Sequence, residues 1–522
     1  TIIDKSGEIN SEEGIQKGFD LMGELLKRED LSDINRMLSE YNLTNNLINL
    51  KRFNGNDISI NEWEQPETFQ IILKLRKIIQ NKDFENMQDI FKAKVFTNLA
   101  SQLSNLGRKI EAIEYWETAL EFVPKFGMAL GNMAIAKQKI AEFLEDENYQ
   151  FLYRASSYRD LEEALKDTES DELIEEYFRE KFNSIKELML IEDIIESERR
   201  MESYEIRGTS EEKKYREWCL ENRLFLNSMN DLGAKAVADR DFLHLPSMLS
   251  KIEDKYPYFY SLFNQLKQEY ITARYLFYEG AIEKHFHFSD ESGLHFADKG
   301  VHIVNTLDYP AFSINTEKLK LAYRSLYSIF EKISYFLNEY FELGEDREKL
   351  SFHSIQKKLL DIAKRDEPEG GEILAPYTKY NLPLRGLYWL GRDILHEDLK
   401  KRKKSTFKES HKDYLEALEP SARDFKKVRR YLEHKFVPLH LMGPVLENYD
   451  GREKFDLHLS KSEFEEKAMK IMKLTRSALV YLVYSVRQEE IRKRKVKEQK
   501  ESFTLGMGLT SWEDSWKGDL ID

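Results

Sequence analysis

The sequence predicts an all-α protein that consists of helical repeats, a central helical region and a C-terminal four-helix bundle. Three observations predict this fold class. The chain contains only 11 Pro and 23 Gly among 522 residues, so helix breakers are few. Apolar side chains recur at three- and four-residue spacing, which is the period of an amphipathic helix. Hydrophobic residues make up 41% of the chain and charged residues 33%, a composition typical of a folded, helix-rich protein.

Changes in this pattern divide the chain into five predicted segments. They are an N-terminal helical segment, repeats, a central helical region, a helical bundle and an acidic tail, at 1–85, 86–165, 166–312, 313–500 and 501–522. Within the central region, the aromatic-rich residues 212–312 are expected to form a buried helical layer. The less periodic residues 285–310 are expected to form a loop, in which a short strand pair is an open alternative.

The repeats are predicted from small and apolar residues at regular spacing. Ala112 and Ala119 allow two helices to approach closely, and Trp116 fills the space between them. The tripeptide Asn-Met-Ala at 132–134 follows Asn-Leu-Ala at 98–100 after 34 residues. This pattern resembles the TPR consensus, which has the same period. One such repeat cannot bury its own faces, so helices on both sides are expected to stack on it.

The C-terminal bundle is predicted from four amphipathic regions. They lie at 316–341, 380–399, 419–440 and 462–495. Four helices of this length are sufficient to enclose a core.

Composition also restricts the class of protein. The net charge of −14 argues against a globally basic nucleic-acid coat protein, yet residues 400–440 contain thirteen Lys and Arg against six Asp and Glu. Such a stretch can bind RNA despite the negative net charge, because attraction to phosphate is local and is screened over about 10 Å. Alternatively, it can be a solvated helix face.

The sequence has no run of about 18 apolar residues, so no membrane-spanning helix is predicted. A single cysteine, Cys219, excludes an internal disulfide and a cysteine zinc site, and the cytoplasm is the expected compartment.

Common cofactor and nucleophile motifs are missing from the sequence. It has no phosphate-binding glycine loop, GxSxG or HExxH pattern, so neither a cofactor nor a metal ion is predicted. Histidines cluster in one segment without the spacing of a known metal site, at His285, His287, His295 and His302. Arg392 and His396 are interpreted as a surface or interface pair.

The segment RRYLEH contains the candidate catalytic residues Arg429, Arg430 and His434. At roughly 100° per residue, Arg429 and His434 are offset by about 140° on a helix, whereas Arg430 and His434 share one face. Either arginine, or both as a pair, could bind a phosphate, because a guanidinium stays charged and has forked donors. Histidine suits proton transfer near neutral pH. Glu433 could contact its neighbours, although it is expected to face solvent. His440 could join the site, but the sequence does not determine its position.

An arginine and a histidine separated by four residues form the core motif of the HEPN superfamily. Arg429 and His434 resemble this motif in their spacing and in their place on the third helix of a C-terminal bundle. The blocks KFGMALGN at 125–132, RLFLNSMND at 223–231 and the upstream YRSLYSIFEKISYFLNEY are similar to a HEPN branch that carries N-terminal TPR units. One difference is Arg430, where that family usually has asparagine or another small polar residue.

The resemblance implies a metal-independent endoribonuclease that uses the RNA 2′-hydroxyl as nucleophile. It further implies a homodimer through the HEPN domain, with the active cleft where two copies meet. The expected substrate is RNA, such as tRNA or mRNA, in an antiphage-defence or toxin role, while the TPR-like half senses a trigger or binds a protein partner. The alternative is a non-catalytic TPR/HEPN scaffold that dimerises and binds a protein partner or nucleotide, and Arg430 favours this alternative.

Overall fold

The structure of the chain, a computed structural model, confirms the all-α fold class. It describes residues 2–9, 11–53, 63, 65–167, 172–249, 258–282, 295–304, 310–363, 380–394, 422–441, 456–499 and 514. Within these ranges, two strands of two residues each are the only named β-structure.

Among its described residues, the N-terminal part has eight α-helices. They are α1 (Ile2–Glu8), α2 (Glu12–Leu26), α3 (Asp33–Phe53), α4 (Pro66–Ile79), α5 (Asp89–Asn105), α6 (Lys109–Phe122), α7 (Gly127–Ala141) and α8 (Glu147–Ala164). From α1 onward, each helix packs against the next one. The helices of the predicted repeat, α5 and α6, therefore have neighbours on both sides. Their assignment to the TPR family stays a prediction.

The interior of the predicted repeat contains the residues that the sequence placed there. Trp116 is 1% exposed, and Ala112 and Ala119 are fully buried. Helix α6 ends at Phe122, two residues before Pro124, whose ring is incompatible with a helix interior.

The central part, where the structure describes it, contains four further α-helices and three short 3₁₀ turns. The helices are α9 (Glu172–Lys186), α10 (Ile191–Glu202), α11 (Ser210–Glu221) and α12 (Tyr258–Ala281), and the turns are Ser228–Leu232, Ala236–Ala238 and Phe296–Asp298, with a fourth turn earlier at Phe84–Asn86. Cys219, Phe263 and Tyr270 are at most 1% exposed, as expected for a buried layer.

In the described ranges of the C-terminal part there are five helices and both strands. They are α13 (Ile314–Tyr340), α14 (Phe352–Ala363), α15 (Leu382–Ile394), α16 (Ala422–His434), β1 (Leu439–His440), β2 (Leu459–Ser460) and α17 (Lys461–Gln499). Each of the four predicted helical regions contains a helix, and α14 is an addition. Helix α13 packs against α12, α14, α16 and α17. Across the described ranges, no helix has an apolar stretch long enough to cross a membrane.

The third helix of the bundle is shorter than the sequence predicted. Helix α16 ends at His434 rather than at residue 440, and the chain then enters β1, which pairs in parallel with β2. Pro438 cannot continue the hydrogen bonding of a helix. Of the described residues in the loop 285–310, where a strand pair was an alternative, only Pro310 takes part in pairing, through a single bridge to His440.

The N-terminal helices contact the C-terminal bundle directly. Arg108, at the start of α6, forms a buried ion pair with Asp393 of α15. The Tyr481 hydroxyl on α17 accepts a hydrogen bond from the Ile110 amide at 3.0 Å and donates one to the Glu111 carboxylate. These contacts connect residues that lie far apart in the sequence.

A close backbone contact accompanies these side-chain contacts. Gly107, between α5 and α6, has a φ of +90°, and a Cβ atom there would lie 2.5 Å from the Leu382 carbonyl oxygen and 2.9 Å from the Gly386 amide nitrogen. Both contacts are with backbone, which cannot move aside as a flexible side chain can. Glycine is therefore required at this turn by both its conformation and its lack of a side chain.

We expect Gly107→Ala to lower the free energy of unfolding by about 1–3 kcal/mol, because alanine strains the backbone at positive φ and also meets the start of α15. Urea denaturation followed by circular dichroism measures the change. Gly23→Ala in α2 is the matched control, since nothing lies within 4 Å of its added Cβ and alanine favours a helix. A Gly107→Ala protein as stable as wild type would contradict the close contact.

Candidate active site

Helix α16 is held in the bundle by one apolar face and by its backbone. Phe425, Val428 and Leu432 are at most 3% exposed. From α13, the Tyr323 hydroxyl donates a hydrogen bond to the Phe425 carbonyl at 3.1 Å, and Arg324 donates one to the Leu432 carbonyl. Carbonyls in the last turn of a helix have no partner within that helix, so Arg324 satisfies one of them and stabilises its negative end.

The opposite face of α16 is exposed and positively charged. Lys426, Lys427 and Arg430 are exposed, and the side chain of His434 has an exposed fraction of 69%. Arg430 has no ion-pair partner within the described part of the chain. The structure therefore places Arg430 and His434 on one accessible face, four residues apart, as helix geometry predicted.

Arg429 lies at the border between the exposed and buried faces. One of its terminal nitrogens is 3.1 Å from Glu331 Oε1 on α13, and its Nε is 2.9 Å from Glu433 Oε1. Its guanidinium also lies 5.3 Å from the centre of the Tyr327 ring. Burial raises the pKa of Tyr327 to about 12, although the adjacent Arg429 opposes the increase. Arg429 is thus fixed by two carboxylates and an aromatic ring.

Glu433 contacts both neighbouring candidate residues instead of only facing solvent. One carboxylate oxygen pairs with Arg429, and the other lies 3.7 Å from His434 Nε2. That second distance is too long for a hydrogen bond but is suitable for attraction to a protonated imidazole. Arg429 thereby holds a negative charge beside His434.

A second group of titratable residues lies on the two strands that follow. His440 Nε2 is 2.9 Å from His458 Nδ1, and His458 Nε2 is 3.0 Å from Asp456 Oδ2. With Asp456 ionised, His458 donates its Nε2 proton to the carboxylate, and its Nδ1 accepts the Nε2 proton of His440. This arrangement applies when both imidazoles are neutral, and Asp456 then favours the tautomer with the proton on Nε2 in each ring.

These side-chain bonds connect the segment after α16 to the segment before α17. The Leu457 amide donates to the Phe436 carbonyl at 2.9 Å, and the Leu459 amide donates to the Pro438 carbonyl at 3.2 Å. Sequence reasoning singled out His440 but did not find His458 or Asp456. The only sequence feature that could have identified these two residues was their two-residue spacing, which places both side chains on one face of a strand.

The other histidine-containing patterns contribute less to a site. The Arg392 guanidinium is half-buried and lies 5.3 Å from the centre of the Trp389 ring, which makes it a packing residue, while His396 is outside the described residues. In the histidine cluster, His295 accepts a hydrogen bond from the Ala297 amide and caps a 3₁₀ turn. His285 and His287 are outside the described residues.

Comparison with known families identifies the part of the chain that contains this site. A family model described as LA2681-like HEPN matches residues 250–489, which include α12 to most of α17 and all the site residues above. No curated protein and no solved structure matches the chain. The match covers residues 313–489 of the predicted bundle segment 313–500, and it begins before residue 313. The family match and the all-α architecture together support a C-terminal HEPN domain in this protein.

Proposed function

We propose that the chain is a metal-independent endoribonuclease of the HEPN type, which acts on tRNA or mRNA as an antiphage-defence or toxin effector. The observation that supports this most directly is the exposed pair of Arg430 and His434 on α16. The pair combines a proton-transfer group with a permanent cation, on a surface that a phosphodiester can reach.

In the proposed reaction, the RNA 2′-oxygen bonds to phosphorus while the bond to the 5′-oxygen breaks. His434 accepts the proton of the 2′-hydroxyl, and the His434 of a second copy donates a proton to the departing 5′-oxygen. The products are a 2′,3′-cyclic phosphate and a 5′-hydroxyl. Arg430 stabilises the charge that develops on the phosphate oxygens. Arg429 holds the Glu433 carboxylate beside His434, with 3.7 Å between Glu433 Oε2 and His434 Nε2.

The active unit in this proposal is a homodimer of HEPN domains, as the resemblance to that superfamily implies. The two proton transfers then fall to the two copies of His434. The TPR-like helices of the N-terminal part would sense a trigger or bind a protein partner. Their contacts with the bundle, such as the pair of Arg108 and Asp393, provide a physical connection between the two parts.

The test is incubation of the purified full chain with total cellular RNA in EDTA, followed by analysis of the product ends. The proposal predicts cleavage, 5′-hydroxyl ends and cyclic phosphates. Cleavage that needs a divalent metal, or that leaves 5′-phosphates, would contradict the proposed chemistry. A chain that dimerises in sedimentation analysis, cleaves no RNA and has no effect on growth when induced would instead be the non-catalytic scaffold.

A further inference from the structure

Phe436 is an exposed aromatic residue two positions after His434. It has an exposed fraction of 71%, whereas the adjacent Val437 is 6% exposed and Leu439 is fully buried. A single exposed apolar side chain is common on protein surfaces. Its significance therefore depends on how it is held and on what surrounds it.

The backbone around Phe436 is fixed on both sides. The Lys435 amide donates to the Tyr431 carbonyl at 2.9 Å, which continues from α16. The Phe436 carbonyl accepts the Leu457 amide at 2.9 Å, within a parallel bridge to Asp456. The imidazole pair that includes His440 fastens the same segment four residues later. The ring is consequently presented to solvent from an ordered backbone, so that little entropy is lost when a ligand contacts it.

The charges on α16, which ends two residues before Phe436, favour a polyanionic ligand, and the carboxylate of Asp456, the bridge partner of Phe436, is bonded to His458. Lys426, Lys427 and Arg430 lie on the exposed face of α16, and none has an ion-pair partner among the described residues. Glu433 is the only carboxylate among the described side chains of this helix, and Arg429 pairs with it. In the proposed dimer, two copies of this face would meet with like charges, and a phosphate backbone between them would neutralise those charges.

We infer that Phe436 stacks on an unpaired base next to the phosphate that His434 acts on, so that the substrate is single-stranded RNA. Aromatic side chains bind single strands because every base has a π-face, and bases inside an A-form duplex are already stacked on their neighbours. The position of the scissile phosphate rests on the proposed function, but binding of the base does not depend on cleavage.

The experiment measures binding of a short fluorescein-labelled RNA by anisotropy, as a single strand and annealed to its complement. All proteins carry His434→Ala, so that the RNA stays intact. Phe436→Leu keeps an apolar side chain but removes the π-face, and we expect it to weaken single-strand binding about 10-fold or more. Phe436→Trp should bind as tightly as the parent, and duplex binding should not change in either variant.

Arg430→Gln is the matched control for charge. It should reduce the salt dependence of binding, which Phe436→Leu should leave unchanged. Equal single-strand affinity in Phe436→Leu and the parent would overturn the stacking role. The stacking role would also be overturned if Phe436→Leu lost its dimers in sedimentation analysis but kept its RNA affinity. That result would identify Phe436 as a contact between chains. Weakened binding in Phe436→Leu, with no cleavage by wild type, would reject the ribonuclease and keep the stacking role.

Discussion

His434→Ala is expected to reduce RNA cleavage by about 10²–10⁴-fold while the fold and RNA binding are retained, because the variant loses the group that transfers protons. The side chain of His434 is 69% exposed and its described ion-pair contact is with Glu433 at 3.7 Å. Its removal leaves no cavity in the core, so little stability should be lost. Initial rates of cleavage of a labelled RNA, compared with those of wild type at the same protein concentration, measure the effect.

His302→Ala is the appropriate control, since His302 is an exposed histidine outside the bundle helices. It should retain wild-type activity. Circular dichroism and sedimentation of His434→Ala should match wild type. If this variant cleaves RNA as fast as wild type, α16 does not carry the reaction, and the ribonuclease proposal fails at this site.

Arg476→Met is expected to lower the free energy of unfolding by about 3–5 kcal/mol, because it leaves a carboxylate buried without its cation. Arg476 on α17 is 1% exposed and lies 2.6 Å from Asp231 Oδ1. It also donates to the carbonyls of Phe225 at 2.7 Å and Asn227 at 3.0 Å. Burial raises the pKa of Asp231, and Arg476 is the main group that opposes this increase.

Thermal and urea denaturation measure the loss. The double variant Arg476→Met/Asp231→Leu should recover part of the lost free energy of unfolding, since no unpaired charge of this pair then remains in the core. Arg200→Ala is the control, because its pair with Glu196 is exposed and should contribute less than about 1 kcal/mol. If the single variant Arg476→Met is as stable as wild type, the ion pair does not hold this interface.

Local patterns in the sequence were sufficient to predict much of the helical structure. The three- and four-residue period predicted α13 almost to its ends, and the small residues around Trp116 predicted a closely packed helix pair. These features depend on side chains a few residues apart. The family match at residues 250–489 then supports the domain that RRYLEH suggested.

Contacts between distant residues could not be predicted in the same way. Arg476 and Asp231 are 245 residues apart. In a chain with 80 Lys and Arg and 94 Asp and Glu, no local feature separates a buried pair from an exposed one. Likewise, His440 and His458 meet through strands of two residues, which are too short to produce a recognisable alternation.

The end of α16 shows how tertiary pairing overrides a helical pattern. The apolar spacing continues beyond His434, and a helix to residue 440 was therefore the local prediction. The backbone after His434 instead pairs with residues 456–460. That pairing turns Phe436 outward, which the sequence alone did not indicate.

The contact between Gly107 and Gly386 has a consequence for dividing this protein into fragments. A fragment that began at residue 250 would contain the whole family match, yet α15 would lose the turn that covers its first residues. Tyr481 and Arg476 would also lose their partners on α6 and in the turn at 228–232. The family boundary is therefore not a boundary of folding. Genetic dissection of the two parts should use point changes in the full chain, since a truncated HEPN region would expose polar groups that the N-terminal helices satisfy.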